Sequence, residues 1–122
     1  MKILAVSHNA LLLRELTSEL SHIYPGAEIS DNTDPLMAGK YSFSHDVDVV
    51  FAEADMKRMN GLQLIQYVRH EHPDVKSYLI GTEKELSDSF LIVSEDVTGI
   101  LTYPFTKDSM RKALGGKTAN EL

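Results

Sequence analysis

The stretch DVVFAEADMKRMNGL, residues 48–62, decides the fold of this 122-residue chain. It joins an apolar run rich in valine to acidic side chains and then to an Asn-Gly pair of the kind that begins a helix. A short apolar run without alternation is typical of a strand buried on both faces of a parallel sheet. The stretch therefore predicts a buried strand over residues 47–52 and a helix that begins near Asn60.

Four other apolar runs predict further strands, at residues 3–6, 27–30, 78–80 and 99–102. Segments with helical spacing of apolar residues separate them; in the first, Leu13, Leu16 and Leu20 follow the potential N-cap Asn9. Strands and helices that alternate five times indicate a parallel sheet with helices on both faces. The predicted fold class is α/β, flavodoxin-like, with five strands in the order 2-1-3-4-5.

Capping signals refine the helices. Asp34 before Pro35 predicts a short helix that runs to about Tyr41, and Thr106 predicts the start of the last helix. Thr82 and Glu85 have the spacing of a capping box, which gives the threonine a structural role. The apolar residues of the helix that follows are Leu86, Phe90 and Val93.

Length and composition limit the possible classes of protein. A chain of 122 residues fits one domain, predicted at 1–114, with 115–122 as a tail or the start of a linker. No apolar run approaches the roughly 18 residues of a membrane span, and the N-terminus makes a poor signal peptide, so a cytoplasmic location is expected. The net charge of −6, with scattered basic residues, argues against binding of nucleic acid or anionic membranes. The absence of cysteine excludes thiol catalysis.

The strand order nominates a site. In a doubly wound sheet, ligands bind beyond the carboxyl ends of the strands where strand order reverses, here between the first and third strands. Ser7 and His8 follow the first strand, and Glu53 and Asp55 follow the third. We therefore expect His8 to lie across the crevice from Glu53, within reach of an ion pair or a hydrogen bond.

Two motifs carry a resemblance to a known family. The stretch 48–62 resembles the central motif of bacterial two-component response-regulator receivers, with a buried strand, an acidic residue at its end, two methionines and a glycine. Tyr103-Pro104-Phe105 resembles the Lys-Pro-Phe that follows the fifth strand of that family. The resemblance covers residues 2–114 and implies a receiver domain.

The resemblance also implies roles for positions in this chain. Family members accept a phosphoryl group from a histidine kinase on an aspartate at the end of the third strand, with the help of Mg²⁺. The matching position here is Glu53, and the two acidic positions that hold the metal are Ser7 and His8. A cation that prefers oxygen ligands in octahedral array loses most of its protein charge through these changes.

Other parts of the family's phosphorylation machinery are also replaced. An ungapped alignment puts Gly81, with Thr82 one place later, at the hydroxyl position that contacts the phosphoryl group. Tyr103, before Pro104, stands at the position of the lysine that neutralises its charge. Ile100 stands at the position of the aromatic switch residue.

These replacements predict a pseudo-receiver that is not an enzyme and that uses no metal or other cofactor. Glu53 can partly imitate a phosphorylated aspartate, which would hold the domain near one signalling conformation. One alternative is a phosphorelay receiver that is modified on Asp55 or Glu53. A second is a small flavin carrier, although the segment after the first strand is not rich in Ser, Thr and Gly as a flavin phosphate loop would be.

The resemblance also suggests partners. In the family, the surface of the fourth helix, fifth strand and fifth helix mediates dimerisation or docking, which points to residues 86–93 and 100–114. A protein partner or homodimer is expected there, with a sensor kinase as a further partner. If the natural protein continues into an output domain, transcription regulation is the expected output.

Overall fold

The structure is a computed structural model and describes residues 1–87 and 96–114. Its strands are β1 Lys2–Val6, β2 Glu28–Asn32, β3 Val49–Glu53, β4 Lys76–Thr82 and β5 Gly99–Tyr103. Its helices are α1 Ala10–Ile23, α2 Pro35–Ser44, α3 Gly61–Glu71, α4 Glu83–Ser87 and α5 Lys107–Ala113. All neighbouring strands are parallel, in the order β2-β1-β3-β4-β5. The predicted fold class and strand order are confirmed.

The sheet is covered on both faces. On one face, Phe51 of β3 stacks on Tyr78 of β4 at 5.1 Å between ring centroids, within a cluster that includes Leu16 of α1 and Met110 of α5. On the other face, residues of α2, α3 and α4 form a second cluster around Val50. Every residue of β3 is buried, which explains why its sequence shows an apolar run without alternation.

Side-chain caps begin four of the helices as predicted; at α2 the Asp34 carboxylate accepts from the Leu36 amide at 2.9 Å. The Asn9 carboxamide accepts hydrogen bonds from the Leu11 and Leu12 amides at the start of α1. Asn60 and Thr106 each form a reciprocal capping box at the starts of α3 and α5.

The boundaries differ from the prediction in several places. Strand β3 begins at Val49 and includes Glu53, which therefore belongs to the strand. Helix α2 continues to Ser44 because the polar residues after Tyr41 extend its last turn. The predicted positions of Phe90 and Val93, and the tail at 115–122, lie outside the described residues.

Within residues 1–87 and 96–114, no helix is long and apolar enough to cross a membrane.

Candidate functional site

The carboxyl ends of β1 and β3 bring the predicted site residues together. Val6 pairs with Ala52 in the parallel ladder, so the residues that follow them, Ser7 and Glu53, are neighbours at this edge of the sheet. Glu53 is only 1% exposed. A buried carboxylate needs hydrogen-bond donors, and the β1–α1 turn supplies them.

One oxygen of Glu53 accepts three hydrogen bonds. The Ser7 hydroxyl donates to Glu53 Oε1 at 2.8 Å, and the His8 backbone amide donates at 3.1 Å. The His8 ring donates through Nδ1 at 2.6 Å, since a carboxylate only accepts. The predicted contact between His8 and Glu53 is therefore confirmed, and a protonated imidazole makes it an ion pair.

Ser7 links this contact to the start of α1. Its side chain is fully buried, and its hydroxyl oxygen accepts a hydrogen bond from the Asn9 amide at 3.0 Å while its proton goes to Glu53. The same Asn9 is the N-cap of α1. The carboxylate of Glu53 is thus part of the structure that fixes the β1–α1 turn.

The central motif has a glycine at residue 61 because there is no space for a side chain there. A Cβ atom at Gly61 would lie 2.4 Å from the carbonyl oxygen of Glu53 and 2.7 Å from the Leu79 side chain. The Gly61 amide donates to the Ala54 carbonyl at 3.1 Å, which places the start of α3 against the end of β3. Any side chain at residue 61 would push α3 away from the site.

Glu85 is a site residue that the sequence did not reveal. Its Oε1 accepts from the Thr82 amide at 3.4 Å, and its own amide donates to the Thr82 hydroxyl at 3.2 Å, as the predicted capping box requires. The Thr82 hydroxyl also donates to Oε1 at 3.2 Å. The carboxyl group lies over Gly81, where a Cβ atom would come within 3.2 Å of Glu85 Oε2. This Oε2 is buried and accepts no hydrogen bond from the described residues. The missing side chain of Gly81 makes room for it.

Glu85 faces Glu53 across the site. Burial first, and then repulsion from the Glu53 carboxylate, raise the pKa of Glu85, against the opposing effect of its hydrogen bonds with Thr82. A protonated Glu85 can donate a hydrogen bond to Glu53, whereas two ionised carboxylates would repel each other. The site therefore favours a proton on Glu85.

Thr82 and Tyr103 lie side by side at the carboxyl ends of β4 and β5. Thr82 pairs with Tyr103 in the ladder, and Gly81 pairs with Thr102, so Thr82 is the hydroxyl opposite Tyr103. Burial first, and then the Glu15 carboxylate of α1, raise the pKa of Tyr103. The Tyr103 hydroxyl is therefore close to Glu15 of α1.

The other predicted residues lie at the surface. Asp55 is exposed and makes no hydrogen bond or ion pair within the described ranges. Pro104 is exposed and follows a cis peptide bond. Ile100 lies on the edge strand β5 and is 40% exposed.

The donor set does not fit Mg²⁺, the metal that the resemblance implies. Ser7 supplies a hydroxyl and His8 an imidazole, where Mg²⁺ prefers carboxylate and water oxygens in octahedral array. The His8 ring also hydrogen-bonds Glu53 Oε1 and would compete with a cation for that oxygen. The part of the chain that the structure describes has no group of three or more His, Cys, Asp or Glu side chains placed to hold a metal.

A separate surface cavity of about 520 Å³ lies at the opposite, amino-terminal edge of the sheet, beside Tyr24, Asp48 and Lys76. Glu53 lies at the carboxyl ends of the strands, so this cavity is not part of the candidate site.

Comparisons with known proteins agree with this geometry. A family model for the response regulator receiver domain matches residues 3–115. A curated relative, stress response regulator protein 1 of Lodderomyces elongisporus, is 31% identical over 70 residues, which are 57% of this chain and 19% of the relative. The chain thus spans less than a fifth of the length of that relative.

Solved structures share the fold at low sequence identity. Chemotaxis response regulator CheY4 of Vibrio cholerae has a TM-score of 0.78 and 21% identity, with 94% of this chain and 96% of that chain covered. Response regulator protein TrrA of Thermotoga maritima, solved in complex with Mg²⁺-BeF, has a TM-score of 0.77 and 22% identity, with the same coverage. With a family model that matches almost the whole chain, this protein belongs to the response regulator receiver domain family.

Proposed function

We propose that this receiver domain transmits a signal through protein contacts and does not accept a phosphoryl group. It would act as a regulatory module of a two-component pathway and not as an enzyme. The observation that carries the proposal is that Glu53 Oε1 receives hydrogen bonds from Ser7 Oγ, the His8 amide and the His8 ring.

These contacts oppose phosphoryl transfer to Glu53. A nucleophilic carboxylate needs a free oxygen in line with the donor phosphorus, and transfer tolerates little misplacement. In Glu53 one oxygen is held by three donors and the carboxyl group faces Glu85. The carboxylate that would attack is used instead to connect β1 with β3.

The charges of the site oppose the reaction as well. Phosphoryl transfer depends mostly on positioning and on stabilisation of negative charge by metal and cations. Here Tyr103 stands at the position of the family's lysine, and Glu85 adds a second carboxyl group beside the acceptor position. Loss of both kinds of stabilisation lowers the rate by several orders of magnitude.

The hydrogen bonds of Glu53 also support a fixed signalling state. They join the β1–α1 turn to the end of β3 without any added group. These permanent hydrogen bonds would take the place of reversible phosphorylation. The domain would then stay in one conformation and present the same surface to its partners.

The family resemblance suggests which surface that is. We expect a protein partner or a second copy at the face formed by α4, β5 and α5, on which Ile100 is exposed. A sensor kinase and a transcription-regulating output domain are further proposed partners. The curated relative is a much longer regulator, so the activity of a whole protein that contains this domain remains part of the proposal.

The main alternative is a receiver that accepts a phosphoryl group on Asp55 or Glu53. Within this alternative, Asp55 is the better candidate acceptor, because it is exposed whereas Glu53 is buried. A flavin carrier has less support, because the receiver family model matches residues 3–115.

Incubation with Mg²⁺ and a small phosphodonor, followed by intact mass measurement, tests the proposal. We expect no stable phosphorylated species in the wild-type chain. A species that disappears in Asp55→Asn or in Glu53→Gln would identify that residue as an acceptor and would overturn the proposal.

A further inference from the structure

Exposed apolar side chains concentrate on one surface of the domain. Seven large hydrophobic residues are exposed in the described ranges, and four of them lie on α2 and α3. We call these four residues the α2–α3 patch: Leu36, Met37, Phe43 and Tyr67. Single exposed apolar residues are normal on a soluble protein, whereas a contiguous group indicates an interaction surface.

Tyr67 brings α3 into the patch. The ring of Tyr67 lies against α2 at Gly39, where a Cβ atom would be 3.5 Å from the ring. Leu36 and Phe43 are seven residues apart on α2 and therefore lie on one flank of that helix. Phe43 is 68% exposed, the largest exposed fraction among these apolar residues.

Lys40 is the one charged residue of α2, in a chain whose net charge is −6. Helix α2 has no acidic residue, and Lys40 lies between Leu36 and Phe43 on the same flank. No ion pair or hydrogen bond is assigned to the Lys40 side chain within the described residues. Arg58 at the amino end of α2 is 64% exposed, although it also pairs with Asp34 at 3.6 Å.

We propose that the α2–α3 patch binds an amphipathic helix of another protein, with the apolar face of that helix on Phe43 and Tyr67 and an acidic flank on Lys40. Amphipathic helices commonly bind other proteins by placing their apolar face on an apolar surface between helices. A second copy of this chain fits less well, because a two-fold interface presents the same patch on both sides, and α2 has no acidic residue to pair with Lys40. The inference goes beyond the proposed function and is independent of the state of Glu53.

The test uses two synthetic amphipathic peptides of about 18 residues, long enough to form a helix. Both have the same leucine face; one has glutamates and the other lysines on its flanks. Each is titrated into the ¹⁵N-labelled chain. We expect the acidic peptide to shift amide resonances of α2 and α3, with about tenfold tighter binding than the basic peptide.

Three variants sharpen the test. Phe43→Ser removes the most exposed apolar contact and should weaken binding of the acidic peptide by about tenfold. Leu11→Ser is the matched control, because Leu11 is 58% exposed on α1, away from the patch, and should bind as the wild type does. Lys40→Glu should reverse the preference in favour of the basic peptide.

Several results would overturn the inference. They are shifts confined to α4, β5 and α5, equal affinity for the two peptides, and the absence of binding by the acidic peptide. A dimer in sedimentation equilibrium that Phe43→Ser dissociates would assign the patch to a second copy instead.

Discussion

Glu53 Oε1 lies 2.6 Å from Nδ1 of His8, so the carboxylate at the end of β3 is hydrogen-bonded to the imidazole that follows β1. The same oxygen receives the Ser7 hydroxyl at 2.8 Å. Two neighbouring residues of one turn thus donate to one oxygen of a carboxylate that is almost completely buried. These hydrogen bonds connect the β1–α1 turn to the end of β3, and the stability of the folded domain should depend on them.

Ser7→Ala tests the buried hydrogen bond to Glu53. Removal of a hydroxyl that donates to a buried carboxylate should lower the free energy of unfolding by about 2 kcal/mol. Urea denaturation measures the change. Ser21→Ala is the control, because Ser21 is exposed and donates only to the Ser18 carbonyl; it should change stability by less than about 0.5 kcal/mol. Equal effects of the two substitutions would show that the Ser7 contact adds nothing.

Gly61→Ala tests the close approach of α3 to β3. The new methyl group would meet the Glu53 carbonyl and the Leu79 side chain, so we expect a loss of about 2 to 3 kcal/mol. Gly26→Ala provides the control, since no atom lies within 4 Å of a Cβ at residue 26. Thermal unfolding of both variants decides the matter, and a Gly61 variant as stable as the control would refute the steric argument.

Glu85→Gln tests the carboxyl pair through pH. Because the pKa of Glu85 is raised above its ordinary value of 4.5, folding favours its protonated form. This contribution to stability is fully present below pH 4.5 and is lost as pH rises through the folded pKa. Glutamine does not titrate, so the variant should gain relative to the wild type as pH rises from 4.5. At neutral pH the gain should be of the order of 0.5 kcal/mol, because the side chain is partly exposed.

Urea denaturation at several pH values measures this difference. Glu83→Gln is the matched control on the same helix, because Glu83 is exposed and should give a curve nearly parallel to that of the wild type. Parallel curves for wild type and the Glu85 variant would mean that Glu85 is not coupled to the pocket.

Tyr24→Phe tests a buried hydroxyl at the end of α1. The Tyr24 hydroxyl has no hydrogen-bond partner among the described residues, and burial raises the pKa of Tyr24 to about 12. Removal of an unpaired buried hydroxyl should leave the protein as stable as before or increase its stability by up to about 1 kcal/mol. Tyr41→Phe is the contrast, because the Tyr41 hydroxyl accepts from Ser30 at 2.8 Å and its loss should cost about 1 kcal/mol. Similar losses in both variants would indicate a partner for Tyr24.

The sequence was sufficient for the fold and for the centre of the site. Buried strands and helix caps have local signatures, so β3, the Asn9 cap and the Thr106 cap could be predicted from neighbouring residues alone. The contact between His8 and Glu53 followed from strand order, because residues after adjacent parallel strands meet at one edge.

Glu85 could not be placed in the same way. Its spacing from Thr82 predicted the cap. Its second oxygen lies over Gly81 because α4 begins directly after β4, which places Glu85 beside the end of that strand. Tyr103 shows the same limit, since its approach to Glu15 of α1 depends on the direction of the Tyr103 side chain from the end of β5. Such side-chain directions arise from tertiary packing and have no local pattern in the sequence.

The most direct test is to rebuild the pocket and compare it with the wild type. The structure retains Thr82 opposite Tyr103, so the variant leaves residue 81 unchanged. It combines five substitutions: Ser7→Asp, His8→Asp, Glu53→Asp, Tyr103→Lys and Glu85→Ala. Both chains are incubated with Mg²⁺ and a small phosphodonor, and their intact masses are followed over time. We predict a phosphorylated species in the folded variant and none in the wild type; a stable phosphorylated wild-type chain would contradict the account.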